Sequence, residues 1–416
     1  MTGLNVELYG VLLGTLAPQG RNVEFATVPS VFEHYPVAST IMSLAVPLSL
    51  RYTAPQRRRA NNFFAELLPE GRNLRWLAQT LPPEERGTYG LLRRYGKDSA
   101  GALVIYDPED PTPAKPPQTE ELSGSQVRRL LENMPQEPLA NAPLSGKTSL
   151  GGVQGKIVLV REGGSWYRAQ YGRPSTHILK PNVPEFPTMI YDEAFCMQMA
   201  FEAGLTSHRV WIEGFDGLDA LVIERFDRDP AMPTGRIHQE DFNQALGARG
   251  DEKYQEVGGK VTARRIAQAL GRFGSQGDVE AFAAQLVFAV AIGNLDMHAK
   301  NVSVFHFPDA TVRLTPPYDQ VPLRHQNTDG RMALAIGGEY MHANLTRQHI
   351  ATELLSWGQA AFSHEAPCNA FIDGCLEAYG AALETVPLDG KAYPHLREML
   401  ALFISRLLSG KPAGGR

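Results

Sequence analysis

Cysteine is scarce in this chain of 416 residues: Cys196, Cys368 and Cys375 are the whole supply. An odd number without metal-ligand spacing excludes a disulfide framework and a zinc ribbon as organising devices. Such thiols suit small apolar fillers in a reducing compartment. An excess of basic charge is also missing, the formal net charge being −5. Contact with nucleic acid would need a local patch or a partner protein. Nor is there a long apolar run. The richest stretch, "AFAAQLVFAVAIG", falls short of the ~20 residues that span a bilayer and reads as a buried helix. "MTGLNVELYG" has no basic segment leading into an apolar one, so no secretory signal is expected, and the location expected is cytoplasmic. What is present, 43% hydrophobic and 20% charged residues, is the profile of a globular chain long enough for two or three packed parts.

Along the chain, "NVELYGVLLGTL" and "NVEFATV" alternate as hairpin strands. The segment from Arg57 to Leu81 has helical spacing, with Phe63, Phe64, Leu67 and Leu68 on one side. A strand-like "GALVIYDPED" then runs into a proline cluster, placing a linker at 107–118 between an N-terminal subdomain (1–106) and the rest. "EELSGSQVRRLLENM" reads as a short helix with a serine cap. "GGVQGKIVLVREGGSWYRAQY" reads as a glycine-rich turn and a β-hairpin, and "STHILKPN" as a strand with Lys180 at its end. "YDEAFCMQMAFEAGL" reads as an amphipathic helix and "DALVIERFDR" as a buried strand. These pieces make a β-rich part, 119–228. Beyond it the pattern is mostly helical over 229–408, apart from strands at "VSVFHF" and "VRLTPPYD", with a frayed tail at 409–416. The fold class expected is α+β in two lobes, β-rich then helical.

The residues that invite chemistry follow the apolar helix, in "IGNLDMHAKNVSVF". Asp296 and Asn301 stand in the D-x-x-x-x-N relation of kinase catalytic loops, where the aspartate accepts a hydroxyl proton and the asparagine holds a metal ion. Asp319, in "LTPPYD", is a second candidate oxygen ligand of the kind Mg²⁺ takes. Taken alone, such a pair is more often a helix or turn cap and a loop amide. Lys180 could neutralise nucleotide phosphates, or could be a strand end reaching for water. Glu193 could pair with that lysine, or lie on the surface. The glycines of "TSLGGVQGKIV" could bring backbone amides to phosphate oxygens, or make an ordinary turn; the pattern is not a Walker A loop. Arg51, Arg57, Arg58 and Arg59 could contact phosphates, though such runs usually begin a solvated helix. It is the order that argues: glycine turn, strand lysine, helix acid, linking strand, D-x-x-x-x-N, metal aspartate.

With "NNFFAELLPEG", "YGKDSAGAL", "SLGGVQGK", "THILKPN", "VIERFDR", "QEDFNQALG", "KYQEVGG", "GNLDMHAKN" and "LTPPYD" in view, the chain resembles the HipA family, the kinase toxins of bacterial HipA–HipB toxin–antitoxin pairs. The resemblance implies a protein-kinase-like fold using ATP and Mg²⁺. It implies Asp296 as the catalytic base, Asn301 and Asp319 as metal ligands and Lys180 as the phosphate-binding lysine. Gly152, Val153, Gln154, Gly155 and Lys156 fall on the nucleotide loop, and Glu224, Arg225 and Phe226 on the strand whose backbone meets adenine. His298, Lys300 and Tyr318 fall beside the nucleotide, and Ser149 where members of the family autophosphorylate. Two departures stand out: Gly155 where the family often has glutamate, and Pro317 where others can have an aromatic.

The function so implied is a serine/threonine protein kinase acting as a toxin, with an aminoacyl-tRNA synthetase such as glutamate–tRNA ligase as substrate. Its partner would be a dimeric HipB-like helix-turn-helix antitoxin, with operator DNA reached through that antitoxin, and no membrane. The alternatives are a co-repressor acting mainly through the antitoxin, or a small-molecule kinase.

Overall fold

The computed structural model describes residues 3–110, 116–142, 145–152 and 154–414. Val153 and the middle of the proline linker lie outside them. The chain divides into two compact units. One is 1–181 with 213–250 and 305–310; the other is 182–212 with 251–304 and 311–416.

The first unit opens with β1 (Leu4–Leu8), β2 (Val11–Gln19) and β3 (Asn22–Thr27), followed by α1 (Ala54–Glu66), α2 (Gly71–Gln79), α3 (Thr88–Tyr95) and β4 (Leu103–Tyr106). Strands β3-β2-β1-β4 form one sheet. Alternate residues of β1, Leu4, Val6 and Leu8, go inward to the buried core that also holds Phe63 and Phe64 of α1, as the period of two in a pleated strand requires. The helical spacing over 57–81 is carried by two helices, α1 ending at Glu66 and α2 beginning at Gly71. Pro69 disfavours helical backbone at Leu68, and the chain restarts at Gly71.

β5 (Gln118–Leu122), α4 (Gly124–Glu132), β6 (Ile157–Glu162), β7 (Ser165–Gln170) and β8 (His177–Pro181) continue this unit, and after α5 (Met189–Glu202) and β9 (Val210–Phe215) the chain adds β10 (Leu218–Glu224). Five of these strands run antiparallel in the order β5-β7-β6-β8-β10. β5 uses the last residue expected in the linker, Gln118, paired with Gln170. Ser123 caps α4 by accepting the Gln126 N–H while Gln126 returns a bond to the Ser123 backbone, the reciprocal arrangement that satisfies two orphan donors.

α5 belongs to the second unit. It is buried around most of its circumference, from Ile190 to Ala200, and so is not the amphipathic helix expected. β11 (His238–Asp241) and α6 (Phe242–Ala245) follow in the first unit, then α7 (Ala263–Phe273) and α8 (Gln276–Ile292) in the second. α8 is the buried apolar helix anticipated from composition. After β12 (Ser303–His306) and β13 (Val312–Leu314) comes a hairpin that was not expected, β14 (Arg331–Ile336) with β15 (Glu339–Met341). Helices α9 (Arg347–Ser356), α10 (Glu365–Thr385) and α11 (Leu396–Leu408) complete the unit. The tail is docked rather than frayed as far as residue 414. Ala413 is fully buried and its N–H donates to the Leu345 carbonyl at 2.7 Å.

Candidate active site

From Leu286 onward helix α8 is apolar on every side, and it ends abruptly at Gly293, in left-handed backbone at φ 67°. A Cβ there would stand 2.7 Å from Arg324 Cγ, so glycine serves both the conformation and the close approach. The turn delivers Asn294, which is buried, and its side chain works in two directions. Its Oδ1 accepts the N–H of Asp296 at 3.0 Å. Its Nδ2 donates to the Asp319 carbonyl at 3.4 Å and to Gln320 Oε1 at 3.3 Å.

Asp296 keeps a half-exposed carboxylate. Tyr254 donates its hydroxyl to Oδ1 at 3.3 Å, and His298 Nε2 stands 3.8 Å from Oδ2. The His298 ring meets the Tyr254 ring edge to face, centroids 5.3 Å apart. Asn301 Nδ2 donates to the Asp296 carbonyl at 2.8 Å. That bond commits the NH₂ and leaves the amide oxygen as the atom a hard cation would take. Lys300 is buried, and its carbonyl accepts the Tyr318 hydroxyl at 2.7 Å; that hydroxyl also lies 2.5 Å from Ser303 Oγ. Tyr318 thus ties the catalytic-type loop to the segment bearing Asp319. Asp319 has φ 56°, a left-handed conformation that aspartate tolerates better than most residues. The second unit therefore brings Asp296, His298, Lys300, Asn301, Tyr318 and Asp319 into one hydrogen-bonded pair of loops.

In the first unit, Lys180 pairs across β8 with Leu221 of β10 and is buried, which removes the alternative of a side chain reaching for water. The glycine loop folds onto its own lysine: Lys156 Nζ donates to the Gly151 carbonyl at 2.5 Å. Gly152 has φ 103°, and a Cβ there would come within 2.5 Å of that ammonium. Asn73 of α2 donates to the Gln154 carbonyl at 2.9 Å. With those carbonyls engaged, the loop's amides are the complementary face for an anion. Gly155 would meet Met134 at 2.8 Å if it carried a Cβ. Ser149 shows no exposed surface; its hydroxyl donates to the Leu67 carbonyl at 3.0 Å.

Glu224 ends β10 opposite His177. Arg225 donates its N–H to the Thr176 carbonyl, but its guanidinium is spent inside the unit on Asp227, Ser175 and the Ser99 carbonyl. Phe226 packs edge to face on Phe305. Glu193, on α5 of the second unit, is fully buried and not a surface acid. Burial, reinforced by Asp192 and Glu193, pushes the Cys196 thiol well up. In the arginine run, Arg57 donates to the Tyr52 carbonyl and lies 4.0 Å from Glu24, and Arg59 covers Gly247.

Sequence reasoning assigned no role to Asn294 or Tyr254. Both lie inside stretches quoted for the resemblance, "GNLDMHAKN" and "KYQEVGG", but their partners are set by the fold and not by spacing. Among the described residues no group of three or more His, Cys, Asp or Glu could hold a metal ion. An Mg²⁺ held by one or two protein oxygens together with phosphates does not need one.

Comparison with known proteins decides the family. Residues 148–382 match the HipA-like C-terminal domain, and residues 4–106 the HipA N-terminal domain. The chain belongs to the HipA family. Y4mE of Sinorhizobium fredii, which carries a provisional kinase name, is 33% identical over 311 residues, 73% of this chain and 72% of its own length. The serine/threonine-protein kinase toxin HipA of Shewanella oneidensis is 29% identical over 316 residues, 72% of this chain and 71% of that one. Among solved structures, Shewanella oneidensis HipA with HipB and its operator DNA matches with a TM-score of 0.79 at 22% identity. That match covers 98% of this chain and 99% of that one. The fold is therefore the mixed α+β architecture of HipA, as the sequence led one to expect. No helix among the described residues is long and apolar enough to cross a membrane.

Proposed function

We propose that this HipA-family protein is an ATP- and Mg²⁺-dependent serine/threonine protein kinase, the toxin of a toxin–antitoxin pair. The observation that carries the reading is the double engagement of Asn294, which couples the loop of Asp296 and Asn301 to the segment of Asp319. Proton acceptor and oxygen ligands are thereby held as one unit, which is what phosphoryl transfer asks of a protein.

Bound MgATP supplies the phosphoryl group and the cationic charge that offsets its negative oxygens. The protein's share is positioning. Asn301 and Asp319 would offer oxygen ligands to the metal, and Lys180 and the loop amides from Gly152 to Lys156 would hold phosphates. The backbone from Glu224 to Phe226 would line the adenine. Asp296, steadied by Tyr254, would accept the proton of the attacking serine or threonine hydroxyl. His298 and Lys300 would support that loop.

The substrate in this reading is a protein, an aminoacyl-tRNA synthetase such as glutamate–tRNA ligase, so that modification halts translation; autophosphorylation at Ser149 would end activity. A HipB-like antitoxin dimer would carry the chain to operator DNA. The partners named for the Shewanella oneidensis structure favour this, and favour as second reading a co-repressor role beside the kinase.

Incubation with labelled ATP, Mg²⁺ and lysate tests the proposal. Wild type should transfer label to protein, and Asp296→Asn should lose it by about a hundredfold or more while keeping its melting temperature. Label appearing only on a small molecule, or full transfer by Asp296→Asn, overturns it.

A further inference from the structure

The segment that carries Asp319 is fastened a second time, by residues with no part in the site so far described. Asp192 lies in the first turn of α5, next to Glu193, with no exposed surface. Its carboxylate gathers three groups from separate stretches of the second unit. Thr188 donates its hydroxyl to Oδ2 at 2.7 Å, the Tyr393 N–H reaches Oδ1 at 2.8 Å, and His325 Nε2 stands 3.1 Å from Oδ2. The imidazole of His325, itself buried, lies nearly flat on the Tyr393 ring, centroids 4.3 Å apart at 19°. A carboxylate enclosed in this way persists only because such partners replace its water.

His325 lies a short span beyond Asp319, and that span is fixed along its length. Asn294 holds the Asp319 carbonyl, the Leu323 N–H donates to the Gly293 carbonyl at 3.0 Å, and His325 ends the span on Asp192. Asp319 sits in left-handed backbone, a conformation that needs its surroundings to hold it. The anchor at Gly293 and Asn294 belongs to the loop of Asp296. The anchor at Asp192 belongs to the helix that bears Glu193.

We infer that Asp192 and His325 form a positioning clamp that fastens the metal-ligand segment to α5, and that it sets how well Asp319 meets Mg²⁺. The inference rests on the kinase reading above. Neither residue touches nucleotide in it; both act through Asp319. Groups that orient a metal ligand typically change metal affinity by about ten- to a hundredfold when removed.

The test uses the full chain in two measurements. The first is the affinity for a non-hydrolysable ATP analogue, by calorimetry, with and without Mg²⁺. The second is amide hydrogen exchange over 319–326 with neither metal nor nucleotide present. His325→Ala should weaken binding about tenfold with Mg²⁺, leave binding without Mg²⁺ unchanged, and speed exchange at Leu323. His325→Gln, whose amide can reach the position of Nε2, should restore most of both. Wild-type affinity with Mg²⁺ in His325→Ala, or unaltered exchange, overturns the clamp. Equal weakening with and without Mg²⁺ also overturns it, since that would mark general damage. Should His325→Ala not fold, Asp192→Asn takes its place under the same criteria, with His325→Gln as its partner. Wild type that binds no analogue at all sinks the kinase reading instead, and the exchange result still judges the clamp.

Discussion

Asn294 holds Asp319 by its backbone carbonyl while accepting the N–H of Asp296, so one buried amide spans two loops separated by a strand pair. Truncation should therefore act on stability and chemistry together. Asn294→Ala leaves a buried N–H and a buried carbonyl without their partner, at a cost of about 1–3 kcal/mol. Phosphotransfer should fall at least about tenfold, because both loops lose their shared reference point. Thermal unfolding and a labelled-ATP assay on one preparation read both effects. An active, destabilised variant would show that the amide is only structural.

Asp98 is the second place where one side chain organises much of its surroundings. It is fully buried, 2.8 Å from the Arg228 guanidinium and 3.9 Å from that of Arg225, and it accepts the Ser175 hydroxyl. Burial alone would raise its carboxyl; Arg228, Arg225 and Arg236 outweigh that and hold it below the usual range. Asp98→Ala would leave three guanidiniums facing Asp227 alone, which should cost about 3–5 kcal/mol. A fall in melting temperature on the order of 10 °C is expected, read by calorimetry. The Asp98 carbonyl also accepts the Ser149 N–H and its carboxylate the Thr148 hydroxyl, so the base of the glycine loop should loosen too. Limited proteolysis would then cut near 145–156 sooner than in wild type.

Acid should weaken the fold well before the carboxylates titrate. Burial pushes His177, His208 and His342 down from 6.5 to about 4, and His238 to about 3, with Arg161, Arg324 and His306 adding to the effect at His177, His342 and His238. These rings stay neutral when folded, whereas the unfolded chain takes up a proton at each below about pH 6.5. Stability is therefore full above that pH and declines as pH falls toward 4, by about 1.4 kcal/mol per pH unit for each histidine. Urea midpoints measured from pH 7.5 down to 5 should drop steadily below 6.5. A flat profile across that window would mean the four rings are not held neutral.

Much of this was legible because it is local. The Ser123–Gln126 cap, the glycine pair that turns β6 into β7, the apolar length of α8 and the close sequence of Asp296, His298 and Asn301 all depend on neighbours within a few residues. The break at Pro69 is equally local, but the apolar spacing resumes in phase after it and masks it. What the sequence concealed is long-range. β15 is only three residues long, and its pairing with β14 is irregular. Asn294 meets Asp319, Asp192 meets His325, and Asp98 meets Arg228 across stretches of chain that no periodicity links. Burial of Glu193 and Asp192 on an otherwise apolar helix could not be read from composition, since isolated acids ordinarily face water.

Ser149 has a last consequence. A hydroxyl wholly enclosed and bonded to the Leu67 carbonyl can receive a group only in molecules whose loop has come away. Any modification there would then keep time by how often that loop opens, independent of how many partners surround it.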